Sequence, residues 1–355
     1  MAKLTPVSPV YISSILGIFL LFLLKLGSKG INRIKKINLY LLVFIVYLLL
    51  TQFVIGADIH TFANVLISFF IFIVLLHLGI LMRVEDIKRA MHFFIKFSIL
   101  LLSAEAIWRL THPQWVLDNG VLITEEDISI YPFKVSSFMF QDSNFVGTYS
   151  ATMFFFCNYL KDVSRRRIRF YKVMFGVLSV LTMSRAAILG ILLVVLIRYF
   201  FKKMKTNFLF IVGIGLPFFI LFLIYLFQVV ANDDSFLSKF FILEQALAYW
   251  KSADWNHCLF GVGFANAKYY LGIGSHNLLV TYLVDAGIIG LLLMVGFQIY
   301  YLIQTKGQGW DVILVFFIIG MSLAGHGVPF YYAQLATIML CSLKSCNNES
   351  KISIQ

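Results

Sequence analysis

The sequence predicts an all-α polytopic membrane protein, one integral membrane domain over residues 1–355 with about 11 transmembrane helices. Three observations predict it. The chain is 60% hydrophobic and 17% aromatic but only 13% charged, with a mean hydropathy of +0.88; soluble domains carry about 25% charged residues. Apolar runs of about 20 residues, the length needed to span hydrocarbon, recur along its length. Basic clusters fall in every second connection between those runs, as the positive-inside rule requires of cytoplasmic segments.

The runs lie near 9–26, 37–55, 61–82, 93–110, 136–160, 168–183, 185–201, 207–230, 276–304, 310–326 and 328–344. The first follows Met1-Ala2-Lys3, Pro6 and Pro9, a pattern unlike a cleavable signal peptide. The basic clusters are Lys29 to Lys36, Arg83 to Lys96, Lys161 to Lys172 and Arg198 to Lys205, continued by Lys306 and Lys344. They place the N-terminus outside, the C-terminus in the cytoplasm, and the long connections 111–135 and 231–275 outside. Orientation thereby explains most of the net charge of +12, so nucleic acid is not an expected partner. The runs 168–183 and 185–201 are short for full crossings. A single span through 173–197 is the alternative, but it would move Arg198, Lys202, Lys203 and Lys205 outside. The expectation is a hairpin with Ser184-Arg185 at its turn. No repeated halves are visible, which argues against a transporter built from internal repeats. Cys157, Cys258, Cys341 and Cys346 have no metal spacing, and neither a metal site nor a disulfide framework is expected.

Seven cations escape the topological explanation: Lys3, Arg109, Lys134, Arg185, Lys239, Lys251 and Lys268. They are candidates to bind an anion on the outer face. Arg185 is the sharpest, because its flanks are apolar or neutral. A buried guanidinium needs a counter-charge, and its planar fork suits phosphate. Ser184 is placed to cap the following helix, whose N-terminus also favours an anion. The alternative is an arginine that snorkels to the interface. In the outer loop 231–275, residues 236–250 read as an amphipathic helix with Phe236, Phe240, Leu243, Leu247 and Trp250 on one face. It is expected to lie along the membrane plane. Lys239 in its first turn is a second anion ligand or else a solvated lysine. Arg109 and Glu105 are one turn apart and can pair with each other.

His276 opens the 276–304 run after Ser275, a good helix cap. On a continuous helix His276, Leu283, Gly287 and Gly290 share a stripe, with the two glycines admitting a neighbouring helix. A histidine titrates near 6.5 and can take a proton from a hydroxyl; the alternative is an interfacial residue that only caps. Asn277 could orient the ring or bind a sugar hydroxyl. Asp285 lies opposite His276 on this helix. Gln141-Asp142-Ser143-Asn144 opens the 136–160 span, where Asp142 and Asn144 either cap the helix or contact sugar. Gly261-Val262-Gly263-Phe264 reads as a tight turn rather than a phosphate loop. His326 to Tyr332 reads as a turn with an aromatic belt.

Together these motifs resemble the O-antigen polymerase and O-antigen ligase superfamily. His276-Asn277, nine residues, then Gly287-x-x-Gly290 is similar to its signature. Leu259-Phe260-Gly261-Val262-Gly263 resembles the lead-in, and Ser184-Arg185-Ala186-Ala187 the family's Ser-Arg turn. The resemblance covers roughly residues 135–300. It implies a C-type, metal-independent glycosyltransferase needing no cofactor, in the bacterial inner membrane with its active site facing the periplasm. It implies a glycan on undecaprenyl diphosphate as donor, membrane lipid as surroundings and a chain-length regulator as a protein partner. Arg185 would hold the diphosphate and His276 would activate the acceptor hydroxyl. Lys239 stands near a position where the family often has arginine, and Asp285 where it often has glutamate. The leading expectation is a polymerase of lipid-linked repeat units. The alternatives are a ligase that transfers finished polymer to a lipid A core, and a lipid-linked oligosaccharide flippase or permease.

Overall fold

A computed structural model describes residues 9–23, 32–115, 131–140, 142–160, 163–203, 234–323, 325 and 327–352. They are helical throughout, with no strand among the described residues. In chain order the helices are α1 (Pro9–Leu23), α2 (Asn32–Ile55), α3 (Ile59–Leu81), α4 (Val84–Thr111), α5 (Tyr131–Val135), α6 (Ser143–Phe156), α7 (Arg165–Leu181) and α8 (Arg185–Lys203). Then come α9 (Asp234–Ser252), α10 (Trp255–Phe260), α11 (Ala267–Leu271), α12 (Leu278–Asp285), α13 (Gly287–Gln304), α14 (Trp310–Gly320) and α15 (Pro329–Ile352). Among the described residues four helices are long and apolar enough to cross a bilayer: Ile34–Ile55, Ile59–Leu81, Val84–Thr111 and Gly287–Gln304. The expected span 207–230 lies outside the described residues.

Two expected runs take a different form, and one pair forms the expected hairpin. The run 136–160 becomes a non-helical stretch, the 14-residue α6 and a 3-10 turn at Cys157–Tyr159. The run 276–304 is broken at Ala286. The pair 168–201 is two helices, α7 and α8, parted at Thr182-Met183-Ser184, so the single span through 173–197 does not form. The non-glycine Met183 takes φ 57° there, a left-handed value that ends α7.

The core is a stack of large side chains between α2, α3, α13 and α15. Phe69 meets Phe44 and Tyr332 at centroid separations of 5.0 and 5.1 Å, and Phe72 meets Phe297 at 5.5 Å. Tyr331 stacks on Phe316 at 3.9 Å and donates its hydroxyl to Gln298 Oε1 at 2.7 Å. Tyr331 and Tyr332 are therefore core residues, not the aromatic belt expected from sequence; His326 lies outside the described residues. By contrast, α2 and α4 carry exposed outer faces of Leu42, Leu50, Phe53, Phe93, Leu100 and Ile107, a surface suited to lipid.

Buried polar groups tie helices together. The Asp311 carboxylate of α14 accepts from Tyr159 Oη at 2.6 Å, Asn158 Nδ2 at 2.8 Å and Arg198 Nη1 of α8 at 2.8 Å. Arg198 thus has a structural partner beyond its expected part in orientation.

Candidate functional site

The signature stretch folds around a break, not along one helix. Asn277, not Ser275, caps α12: its Oδ1 accepts from Leu279 N at 3.0 Å and Val280 N at 3.2 Å. Its Nδ2 donates to Met321 O at 3.3 Å. Asn277 is buried, and its side chain anchors α12 to the end of α14. Ser275 instead shares a 2.7 Å hydrogen bond with Thr281 Oγ1. His276 consequently sits before the helix, exposed at its mouth. The expected stripe joining it to Leu283, Gly287 and Gly290 does not form, because helical register ends at Ala286.

Gly287 takes φ +68°, and a Cβ there would collide with the Leu259 carbonyl. Reciprocally, Gly261 takes φ +81° with its missing Cβ facing Asp285 O and Ala286 N. Gly287 thus admits the backbone at the C-terminal end of the short helix α10. Gly290 faces Ala286 and the Tyr47 ring, so there α2 does approach closely. Asp285, fully buried, accepts from Ala265 N at 3.1 Å and Ala267 N at 2.8 Å. Val262 N donates to Val284 O, Gly263 N to Asp285 O, and Phe264 N to Gln52 Oε1. These amides are satisfied inside the protein, so the Gly261–Phe264 segment is a lock and not an anion cradle. Asp285 is thus a buried acceptor that holds the returning segment, turned away from His276.

The charged groups gather by a second set of contacts. Asp142 caps α6, accepting from Asn144 N at 2.8 Å and Asn144 Nδ2 at 2.9 Å; Asn144 steadies that carboxylate. The adjacent Ser143 Oγ donates to Thr182 O at 2.8 Å, fixing α6 to the α7–α8 turn. Gly147 lets α6 come close enough that a Cβ would meet Ser184 and Ala187 at 2.9 Å. Ser184, buried, caps α8 by accepting from Ala187 N at 3.4 Å. Arg185 follows as the first residue of α8 and is exposed, not buried as the sequence suggested.

Lys239 arrives on α9, where its Nζ donates to Ser322 O at 3.4 Å, one residue from the carbonyl that Asn277 holds. The face of α9 that packs is Ile242, Ala246 and Tyr249, against Val262, Ala267, Leu271, Val280 and Val284. The expected apolar face differs: Phe240, Leu243 and Leu247 stay exposed. The helix thus packs through one apolar face, while Leu243 and Leu247 of the other are exposed.

Electrostatics connects these residues and adds Lys134, which sequence reading left among the unassigned cations. Burial pushes the Lys134 ammonium below its ordinary value, Asp142 opposes the shift and Arg185 adds to it. Burial likewise lowers Lys239, with Asp142 opposing and Lys134 adding. The imidazole of His276 is lowered by burial, then by Lys239, against Asp142. Although His276 reaches solvent, surrounding protein strips part of its hydration. Its Nε2 lies over Gly274, where a Cβ would touch it at 3.0 Å. Gly274 is a second residue the sequence did not single out. Arg185, Lys134, Lys239, Asp142 and His276 therefore form one electrostatic cluster, drawn from four separate stretches of chain.

Lys268, another outer cation, lies 4.9 Å over the Tyr269 ring. Arg109 pairs with Glu105 through Nε at 2.7 and 2.9 Å, as their spacing predicts. Lys3 lies outside the described residues. No three His, Cys, Asp or Glu side chains gather as metal ligands among the described residues. No protein-family model matches the chain, and no curated protein matches it.

Proposed function

We propose that this chain is a membrane glycosyltransferase that polymerises lipid-linked repeat units of O-antigen or a related surface polysaccharide, acting at the periplasmic face of the inner membrane. The observation that carries the reading is that Asp142 acts on Lys134, Lys239 and His276 alike, with Arg185 acting on Lys134. A glycosyl diphosphate ester needs no energy source beyond its own leaving group. It needs cations where charge accumulates and a base for the incoming hydroxyl.

In the proposed step the His276 imidazole takes the proton of an acceptor hydroxyl. That oxygen forms a bond to the anomeric carbon as the bond from carbon to phosphate oxygen breaks. The electron pair leaves on undecaprenyl diphosphate, where Arg185 and Lys239 stabilise it. A neutral imidazole at neutral pH suits this role, and partial desolvation favours that state. Asp142 limits repulsion among the cations while the site is empty of substrate.

Orientation in the membrane follows from the basic clusters, which belong to the cytoplasm under the positive-inside rule. The exposed apolar face of α9 would rest in the outer interface.

The test is lipopolysaccharide profiling of a strain lacking the protein, complemented by variants. A single repeat unit on the core is the expected result. Bare core with accumulated lipid-linked polymer would assign a ligase instead, and lipid-linked repeat units confined to the cytoplasmic leaflet a flippase. Arg185→Ala and His276→Ala should each abolish long-chain glycan while the protein still accumulates in membranes. Normal chain length in either variant would remove that residue from the mechanism.

A further inference from the structure

We propose that Lys134 is a third phosphate-binding cation of this site, and that the buried Glu105–Arg109 pair is the positioning device that sets Lys134 against Arg185. The inference rests on the glycosyl-diphosphate reading, and gives separate roles to Lys134 and Arg109, which the sequence marked only as two of seven candidate anion-binding cations.

The geometry starts from Arg109, whose side chain, like that of Glu105, is 0% exposed. Its Nε is taken by both Glu105 carboxylate oxygens, at 2.7 and 2.9 Å. The other arm of the guanidinium reaches outward in two directions. Nη2 donates to Leu181 O at 2.9 Å, and Nη1 donates to Phe133 O at 3.5 Å. Phe133 is the residue before Lys134. Leu181 ends α7, at the edge of the three-residue turn that presents Arg185. One planar cation thus holds the two backbone segments that carry the two outer cations. Ser136 reinforces the first segment, donating from Oγ to Phe133 O at 3.3 Å and reaching Arg109 O at 3.5 Å. Ser143 reinforces the second through Thr182 O, and brings Asp142 with it.

Burying an ion pair costs solvation on both partners, and hydrophobic replacements of similar shape are often no less stable. A pair so placed therefore needs a reason other than stability. Here the reason is direction: the guanidinium fork fixes an angle between two carbonyls that a lysine ammonium, a point charge on a flexible stem, does not. Charge supplies the second line of argument. Arg185, Lys134 and Lys239 with Asp142 leave two net positive charges beside a neutral His276. A diphosphate diester carries one negative charge on each phosphoryl group, so three cations and one carboxylate neutralise it, whereas Arg185 and Lys239 with Asp142 do not. Lys134 and Lys239 are also partly desolvated, and an arriving phosphate restores the interactions that burial removed.

The test titrates inorganic diphosphate, without divalent metal, onto the purified full-length chain in lipid nanodiscs, followed by calorimetry. Lys134→Gln should weaken binding about tenfold or more, the value of a charged hydrogen bond, and Lys134→Arg should recover most of it. Arg109→Lys should weaken binding comparably, and the double variant with Lys134→Gln should be little weaker than either single, because both act on one ligand contact. Where Arg109→Lys fails to fold, the double Glu105→Gln/Arg109→Gln variant leaves no unpaired buried charge and takes its place. Wild-type affinity in Lys134→Gln would overturn the ligand assignment alone. Wild-type affinity in a folded Arg109 variant, or full additivity in the cycle, would overturn the positioning role alone. A wild-type protein that does not bind diphosphate would overturn both, together with the glycosyl-diphosphate reading beneath them.

Discussion

Burial and the nearby Lys239 push the His276 imidazole below its ordinary value, and that shift has a measurable consequence. A base acts deprotonated, so turnover falls as pH drops through its pKa, and a lowered pKa moves that fall to more acid conditions. Lys239 pushes the imidazole down and Asp142 pulls it up. Lys239→Gln should therefore shift the acid limb of kcat/KM toward higher pH, and Asp142→Asn toward lower pH, whatever each does to the maximum rate. Limbs that stay fixed in both variants would remove His276 as the base. His276, Arg185 and Lys239 are legible in sequence because each cationic or titratable group stands out from apolar or topologically outer surroundings. Lys134 carries a weaker signal: it is only one of seven outer cations in the sequence, and nothing local ranks it until Arg109 is seen to hold the residue before it. Gly274 is silent, since nothing local reveals that an imidazole lies over it.

The break between α12 and α13 belongs to the helices themselves. Residues 278–304 form an apolar run without proline, and hydropathy has no term for a left-handed glycine. What interrupts the run is tertiary: the Leu259–Gly263 backbone presses on Asp285–Gly287 from outside. The two glycine positions were visible as a pattern, and Gly290 does admit a neighbouring helix; Gly287 admits the backbone end of α10, a demand for the same small residue that the sequence does not distinguish. Gly287→Ala meets both a left-handed φ and a backbone collision. It should destabilise the protein by about 2 kcal/mol or more, read as a lowered melting temperature in nanodiscs. Gly290→Ala meets the Ala286 Cβ and the Tyr47 ring, without the left-handed φ or the backbone carbonyl that Gly287 faces, and should cost less. Equal losses at the two positions would contradict this account. The α7–α8 hairpin, by contrast, was readable because charge placement disfavoured the single-span alternative.

The assembled bundle is joined by polar anchors at a few fixed points, and these were the least visible feature in sequence. Asp311 and Arg198 are far apart in the chain and each has a bland local explanation. Only packing brings them together with Tyr159 and Asn158. Asp311→Ala should cost about 2–3 kcal/mol, because it leaves the Tyr159 hydroxyl and Asn158 amide without their acceptor; thermal melting of the purified variant checks this. Arg198→Ala should cost less, since that side chain is 47% exposed and water can replace it. The helical, membrane-type architecture was legible from composition alone. The break-up of the 136–160 and 276–304 runs into short helices and turns was not, because tertiary contacts impose it.

The two-faced α9 carries a further consequence. One wall of the cluster, bearing Arg185 and Lys134, is bolted to buried polar contacts of the protein. The opposite wall, bearing Lys239, rides on a helix that packs through Ile242, Ala246 and Tyr249 and leaves Leu243 and Leu247 exposed. Under the proposed function that exposed edge meets the bilayer, which then sets how far apart the two cationic jaws stand. Detergent extraction should loosen the Lys239 jaw first, so that donor affinity declines in micelles and returns on reconstitution, while the Arg109-held jaw is unaffected.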